Sequence, residues 1–204
     1  MNKSSLFAST SLALALAFAS VLPASAADTQ NRFAIKGAGI AKCSKFVELY
    51  DQRANDTLLF AGWMTGFVTA LNQQMPETFD LAPWQSSDVL LLLMRDLCGR
   101  NPDQQFFRVA AGLVGLLAPE KLTTLSEIVE AKNGEHKASV PKDVMRRAQQ
   151  KLKDQGFYKG NPDGSFGSGT QKAFEAFQKQ QKITETGVPD QQTLLRLMYQ
   201  PPKQ

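Results

Sequence analysis

Asn161-Pro-Asp-Gly-Ser-Phe-Gly-Ser-Gly-Thr-Gln-Lys-Ala-Phe-Glu-Ala-Phe-Gln178 is the stretch where turn chemistry gives way abruptly to helix chemistry. Pro162 fixes φ, Asp163 has a side chain that bonds its own backbone, and Gly164 tolerates positive φ, so a tight loop is expected. Gly167 and Gly169 flank Ser168, read here as an N-cap oxygen for a helix whose buried face is Ala173, Phe174 and Phe177. Upstream, Val144, Ala148 and Leu152 recur at i, i+4 and i+8 and predict a helix that stops near Gly156. Downstream, Gly187-Val-Pro-Asp190 leads into Thr193, Leu194, Leu197 and Met198, a third helix with Asp190 as its N-cap.

This order of parts resembles the peptidoglycan-binding domain of bacterial cell-wall proteins over about residues 141 to 199. The residues that carry the resemblance are Asp163, Gly164, Phe166, Gly167, Thr170, Ala173, Phe177 and Gln178, followed by Gly187, Val188, Asp190 and Thr193. Ala148-Gln149 stands where the family usually has Leu-Gln. The resemblance implies a three-helix domain that binds the glycan or stem peptide of murein without catalysis. The candidate contacts are Asp163, Gly164, Phe166, Gly167, Thr170, Phe177 and Gln178. Each of them also has an architectural reading, as turn, core or cap. Asn161, Asp163 and Ser165 alternate oxygens as a calcium loop does, but Phe166 stands where that loop needs Gly and Lys172 where it needs Glu. No metal and no cofactor is expected.

The chain has 204 residues, 43% hydrophobic and 21% charged, an ordinary globular composition with room for one large or two small domains. Lys3 precedes an uncharged run with the apolar core Leu12–Phe18, then Pro23 and Ala24-Ser-Ala26, the pattern of a secretory signal peptide cleaved after Ala26 or Ala27. The mature protein is expected to be periplasmic or secreted, associated with the cell wall, and without a membrane span. Export gives the two cysteines a meaning: Cys43 and Cys98 should form one disulfide in an oxidising compartment. A loop of that length would gain about 3–4 kcal/mol from the closure.

Charge is uneven. Residues 28 to 140 hold eleven cations against thirteen acids, net −2, whereas residues 141 to 204 hold eleven against six, net +5. Murein stem peptides carry free carboxylates, so Lys151, Lys153, Lys159, Lys172 and Lys179 would raise the encounter rate. Nucleic acid is not expected as a partner, because no base-reading motif is present.

Between leader and tail domain, four helical segments are expected. They run from about Lys42 to Tyr50, from Thr57 to Leu71, from a Ser86-Ser87-Asp88 cap to Cys98, and from about Asp103 to Leu117. Gly62 and Gly66 in the second would admit a close neighbour. Trp63 reads as core, and Trp84, in the Asn72–Gln85 connection, is the better candidate for a ligand groove. The organisation expected is all-α: signal peptide 1–26, leader 27–36, a disulfide-stapled four-helix domain 37–118, a linker 119–140 with a short helix at Leu122–Ala131, the peptidoglycan-binding-like three-helix domain 141–199, and a tail 200–204. His136 falls in the linker and reads as inert.

Cys43-x-x-Phe46, Trp63-Met-Thr-Gly66-Phe67 and Leu97-Cys98-Gly-Arg-Asn101-Pro102 are similar to small exported disulfide-bridged helical proteins, a group that takes in periplasmic acid-stress chaperones and type VI secretion immunity proteins. That similarity implies binding or protection, with a periplasmic protein as partner, and no reaction. The expected function is a non-catalytic peptidoglycan-binding protein that tethers the helical domain to the wall. The alternatives are a chaperone or immunity-type protein localised there, and an accessory or targeting subunit of a cell-wall hydrolase. Catalysis by the chain itself is not expected, since a zinc amidase needs several ligands beyond the single His and a transpeptidase needs a free Cys beside one.

Overall fold

A computed structural model describes residues 27–30 and 32–199. The expected signal peptide up to Ala26 and the tail after Tyr199 lie outside the described residues. From Ile35 onward the chain forms one compact unit. The leader before it has its own local order: the Asp28 carboxylate accepts from the Gln30 and Arg32 amides and pairs with the Arg32 guanidinium.

Seven helices are present among the described residues: α1 Cys43–Asp51, α2 Thr57–Gln74, α3 Ser87–Arg100, α4 Phe106–Leu117, α5 Lys142–Asp154, α6 Ser168–Gln181 and α7 Gln191–Met198. They follow the predicted segments closely because the local signals are strong. Ser86 caps α3 through the Val89 amide at 3.3 Å, and Asp190 caps α7 through the Thr193 amide at 2.8 Å. No helix among the described residues is long and apolar enough to cross a membrane.

The first four helices pack on an aromatic cluster, with Phe46, Phe60 and Phe106 rings 4.8 to 5.0 Å apart. The Cys43–Cys98 disulfide ties the start of α1 to the end of α3. Backbone bonds from Cys43 N to Gln104 O and from Phe106 N to Ala41 O, both 2.8 Å, fasten the same corner to the start of α4. Gly62 and Gly66 do not serve as expected: nothing outside their own helix approaches either one. The close approach is at Gly39, where an added Cβ would lie 2.4 Å from the Trp63 ring, while the Trp63 indole donates to the Lys36 carbonyl at 2.8 Å. Leu58 and Leu59, on the outward face of α2, are exposed.

The expected linker takes a different form. In place of a helix over Leu122–Ala131, strands β1 Ile128–Asn133 and β2 His136–Pro141 pair antiparallel, with Asn133 opposite His136 and Val129 opposite Val140. The physical reason lies in the residues. Ile128 and Val129 are β-branched, and Gly134 takes φ +57° at the first position of a two-residue turn. One face of the hairpin buries Ala131 and Val140. It is joined to the tail helices rather than hung between units. Lys142 N donates to Glu127 O at 2.7 Å, Asp143 N to Ser126 Oγ at 3.1 Å, and Asn133 Nδ2 to Thr186 O at 3.0 Å.

Candidate functional site

Three helices, α5 to α7, enclose Val144, Met145, Ala148, Leu152, Ala173, Phe174, Phe177, Leu194 and Leu197, all buried. Two irregular loops connect them, and each is held by one buried glutamine. Gln149, fully buried on α5, donates through Nε2 to Ser165 O at 2.8 Å, to Thr170 Oγ1 at 2.9 Å and to Asp163 Oδ1 at 3.3 Å. Its Oε1 accepts from Gly164 N at 2.7 Å. Gln178, fully buried on α6, donates to Thr193 Oγ1 and Thr186 Oγ1 at 2.8 Å each and to Val188 O at 3.1 Å, and accepts from Gly187 N at 2.8 Å.

The wiring is the same twice. In each loop the glutamine receives the amide of a glycine in the left-handed region, Gly164 at φ +79° or Gly187 at φ +68°. It bonds the carbonyl of the next residue and reaches the hydroxyl of a threonine six positions after the glycine, Thr170 or Thr193. The residues before the glycines, Asp163 and Thr186, supply the remaining acceptor. A primary amide suits this place because it carries two donors and an acceptor on one planar head. The repeated Gly-x-x-x-x-x-Thr spacing, each copy following a Gln on the preceding helix, is a signal in the sequence that sequence reasoning missed.

The predicted site residues fall into two groups around this device. Gly164, Thr170, Phe177 and Gln178 are buried: Phe177 packs edge-on against Phe157 at 5.7 Å, and the other three belong to the glutamine clasps. Asp163 and Gly167 are exposed and Phe166 is half-buried, so these three form the outward part of the first loop. The Asp163 carboxyl is held below its ordinary range by the Ser165 amide at 2.8 Å and then by Gln149. An added Cβ on Gly164 would lie 2.7 Å from the Lys142 backbone oxygen, so the loop lies directly on the start of α5. Ser168 does not cap α6. Gly167 takes the N-cap place with an extended backbone, and Ser168 is already the first helical residue.

Of the five lysines noted for charge, Lys153, Lys159, Lys172 and Lys179 are exposed and Lys151 is half-buried. Trp84 is 6% exposed and is held by α7, since Gln191 Nε2 donates to its carbonyl at 2.7 Å and Gln191 Oε1 accepts from Ser86 N at 2.9 Å. Arg147 on α5 reaches the Glu120 carbonyl and the Lys121 carbonyl. His136 lies exposed on β2.

No curated protein and no solved structure matches the chain. Residues 142–197, from the first residue of α5 almost to the end of α7, match the family described as a putative peptidoglycan binding domain. The C-terminal segment with the doubled glutamine clasp is thus the part of the chain that matches the peptidoglycan-binding domain family.

Proposed function

We propose that the protein is an exported, non-catalytic peptidoglycan-binding protein whose C-terminal domain holds the disulfide-stapled helical domain at the cell wall. The observation that carries this reading is the family match over residues 142–197, a segment of three helices whose two connecting loops are each clasped by a buried glutamine. Export is supported by the signal-like N-terminal sequence and by the Cys43–Cys98 disulfide, a bond that persists in oxidising compartments. The absence of chemistry is supported by the cysteines, both committed to that bond, and by the single His136, which lies exposed on a strand. Within the domain, Asp163, Phe166 and Gly167 present the first loop to the polymer. Gly164, Thr170, Phe177 and Gln178 act on binding through the shape of that loop.

Co-sedimentation of the mature full chain with purified sacculi at low salt tests the proposal. Protein pelleting with sacculi, with no soluble muropeptide released, is the expected result. Protein left wholly in the supernatant refutes wall binding, and release of muropeptides refutes the non-catalytic reading. The compact unit runs from Ile35 across both halves, so the full chain is the form to use.

A further inference from the structure

A cleft of about 930 Å³ opens where α3 of the helical half meets α6 and α7 of the wall-binding half. Its volume lies within the ~300–1,000 Å³ range of small-ligand sites. Val89, Leu92 and Leu195 line it with apolar surface, and Leu92 is 40% exposed there. Its charged lining is mixed: Arg95, Arg100 and Arg196 against Asp88 and Asp96. Three of these five are already engaged, Arg95 with Asp51 outside the cleft at 2.9 Å and Arg100 with Asp96 at 2.6 Å. Arg196 and Asp88 are exposed and have no ion pair or hydrogen bond among the described residues. The Tyr199 hydroxyl, also at this cleft, is buried without a partner.

These observations share one chemical description: among the described residues, a cleft that offers one free cation and one free anion beside an apolar floor. A neutral glycan has no use for the ionic pair. A short peptide carrying a free carboxylate, a free amine and aliphatic side chains matches these features, and the stem peptide of murein has that character. We infer that the cleft between α3 and α7 binds the stem peptide of peptidoglycan, with Arg196 receiving a carboxylate, Asp88 receiving an amine and Leu92 and Leu195 packing against the peptide's aliphatic side chains. The inference rests on the proposed wall binding and adds to the first-loop surface a second site, which neither half possesses alone. The helical half is on this account part of the binding surface, since it supplies Asp88 and Leu92.

The test uses the full chain with three soluble probes: a free stem tetrapeptide containing a diamino acid, the same peptide with its free amine acetylated, and chitotriose as glycan alone. The free tetrapeptide should bind and should displace the protein from sacculi, whereas chitotriose should do neither. Arg196→Gln should weaken tetrapeptide binding by about 10-fold. Asp88→Asn should weaken binding of the free peptide while leaving that of the acetylated peptide unchanged, a difference that a folding defect would not produce. Sacculus binding that persists undiminished in Arg196→Gln and Leu92→Glu, or displacement by chitotriose only, overturns the cleft and leaves the wall-binding reading intact. Failure of the wild-type chain to bind sacculi overturns both.

Discussion

Truncating either clasp glutamine to alanine should destabilise the protein by about the same amount. In Gln178→Ala the Gly187 amide loses its acceptor at a buried position, the Thr193 hydroxyl loses a partner, and a void opens where the amide head had been. Val188 O retains the Asp190 amide and Thr186 Oγ1 retains the Asp190 carboxylate, so the backbone amide is the main orphan. One orphaned buried donor costs about 1–3 kcal/mol, and the lost packing raises the total to about 2–4 kcal/mol. Gln149→Ala orphans Gly164 N, while Ser165 O keeps the Thr170 hydroxyl, so the same figure applies. Against a whole stability of about 5–15 kcal/mol, either loss is measurable by urea unfolding followed with far-ultraviolet circular dichroism. Amide hydrogen exchange should localise the damage, to residues 186–193 in Gln178→Ala and to residues 163–170 in Gln149→Ala. The exposed Gln180→Ala serves as control and should lie within about 0.5 kcal/mol of wild type. A cost below about 1 kcal/mol for either clasp variant, or exchange that rises uniformly over the chain, refutes the reasoning.

Other outcomes follow from the same geometry. Gly164→Ala combines a left-handed φ with a Cβ 2.7 Å from a backbone oxygen and should cost about 2–3 kcal/mol; Gly187→Ala, also at a left-handed φ, meets side-chain atoms of Asn133, Glu175 and Gln171 rather than backbone and should cost about 1–2 kcal/mol, both read from urea midpoints. Replacing Cys43 and Cys98 together by Ser releases a loop with a sequence separation of 55 and should cost about 4 kcal/mol in the chain-entropy account, seen as a lower Tm that reductant does not lower further. The lowered pKa of Asp163 means that its folded state favours the carboxylate, so its contribution is present above the ordinary carboxyl pKa of about 3.9 and is lost as pH falls through the lowered folded value. Asp163→Asn should therefore lose less Tm than wild type on acidification through that window; parallel Tm curves would contradict the assignment. Gln191→Ala should free Trp84 and Ser86 from α7 and raise proteolytic cleavage in the segment around Trp84, with wild-type cleavage as the contrary result.

How far this architecture is legible in the sequence depends on how local each cause is. Asp190 and Ser86 announce their caps through oxygens that reach amides three residues away, and Pro162-Asp163-Gly164 announces a turn through backbone preferences alone. The i, i+4, i+8 recurrence of Val144, Ala148 and Leu152 places α5 in the same way. Gln149 and Gln178 are harder, because a glutamine on a helix ordinarily faces water and only its partners, 15 and 9 positions onward at the glycines, explain its burial. Gly167 and Ser168 are adjacent candidates for one cap, and α6 begins at Ser168 with Gly167 as N-cap and no side-chain cap bond, a difference of one residue that local preferences do not resolve. The hairpin was hidden by its short polar strands, although Asn133-Gly134 is a turn signal between alternating residues. Gly62 and Gly66 mislead because small residues on a helix suit solvent as well as a neighbour, whereas Gly39 is decided by the Trp63 ring that covers it. Trp84 lies in a loop and is nevertheless buried, since Gln191, more than a hundred residues later, holds its carbonyl.

Wall recognition by the C-terminal domain is tested most directly by nuclear magnetic resonance titration of the uniformly labelled full chain with soluble murein fragments. The account predicts saturable shifts among the amides of residues 161–199, joined by those of α3 around Asp88 to Asp96, with α2 and the outer face of α4 unmoved. No shift at saturating fragment, or shifts confined to α1, α2 and α4, would contradict it.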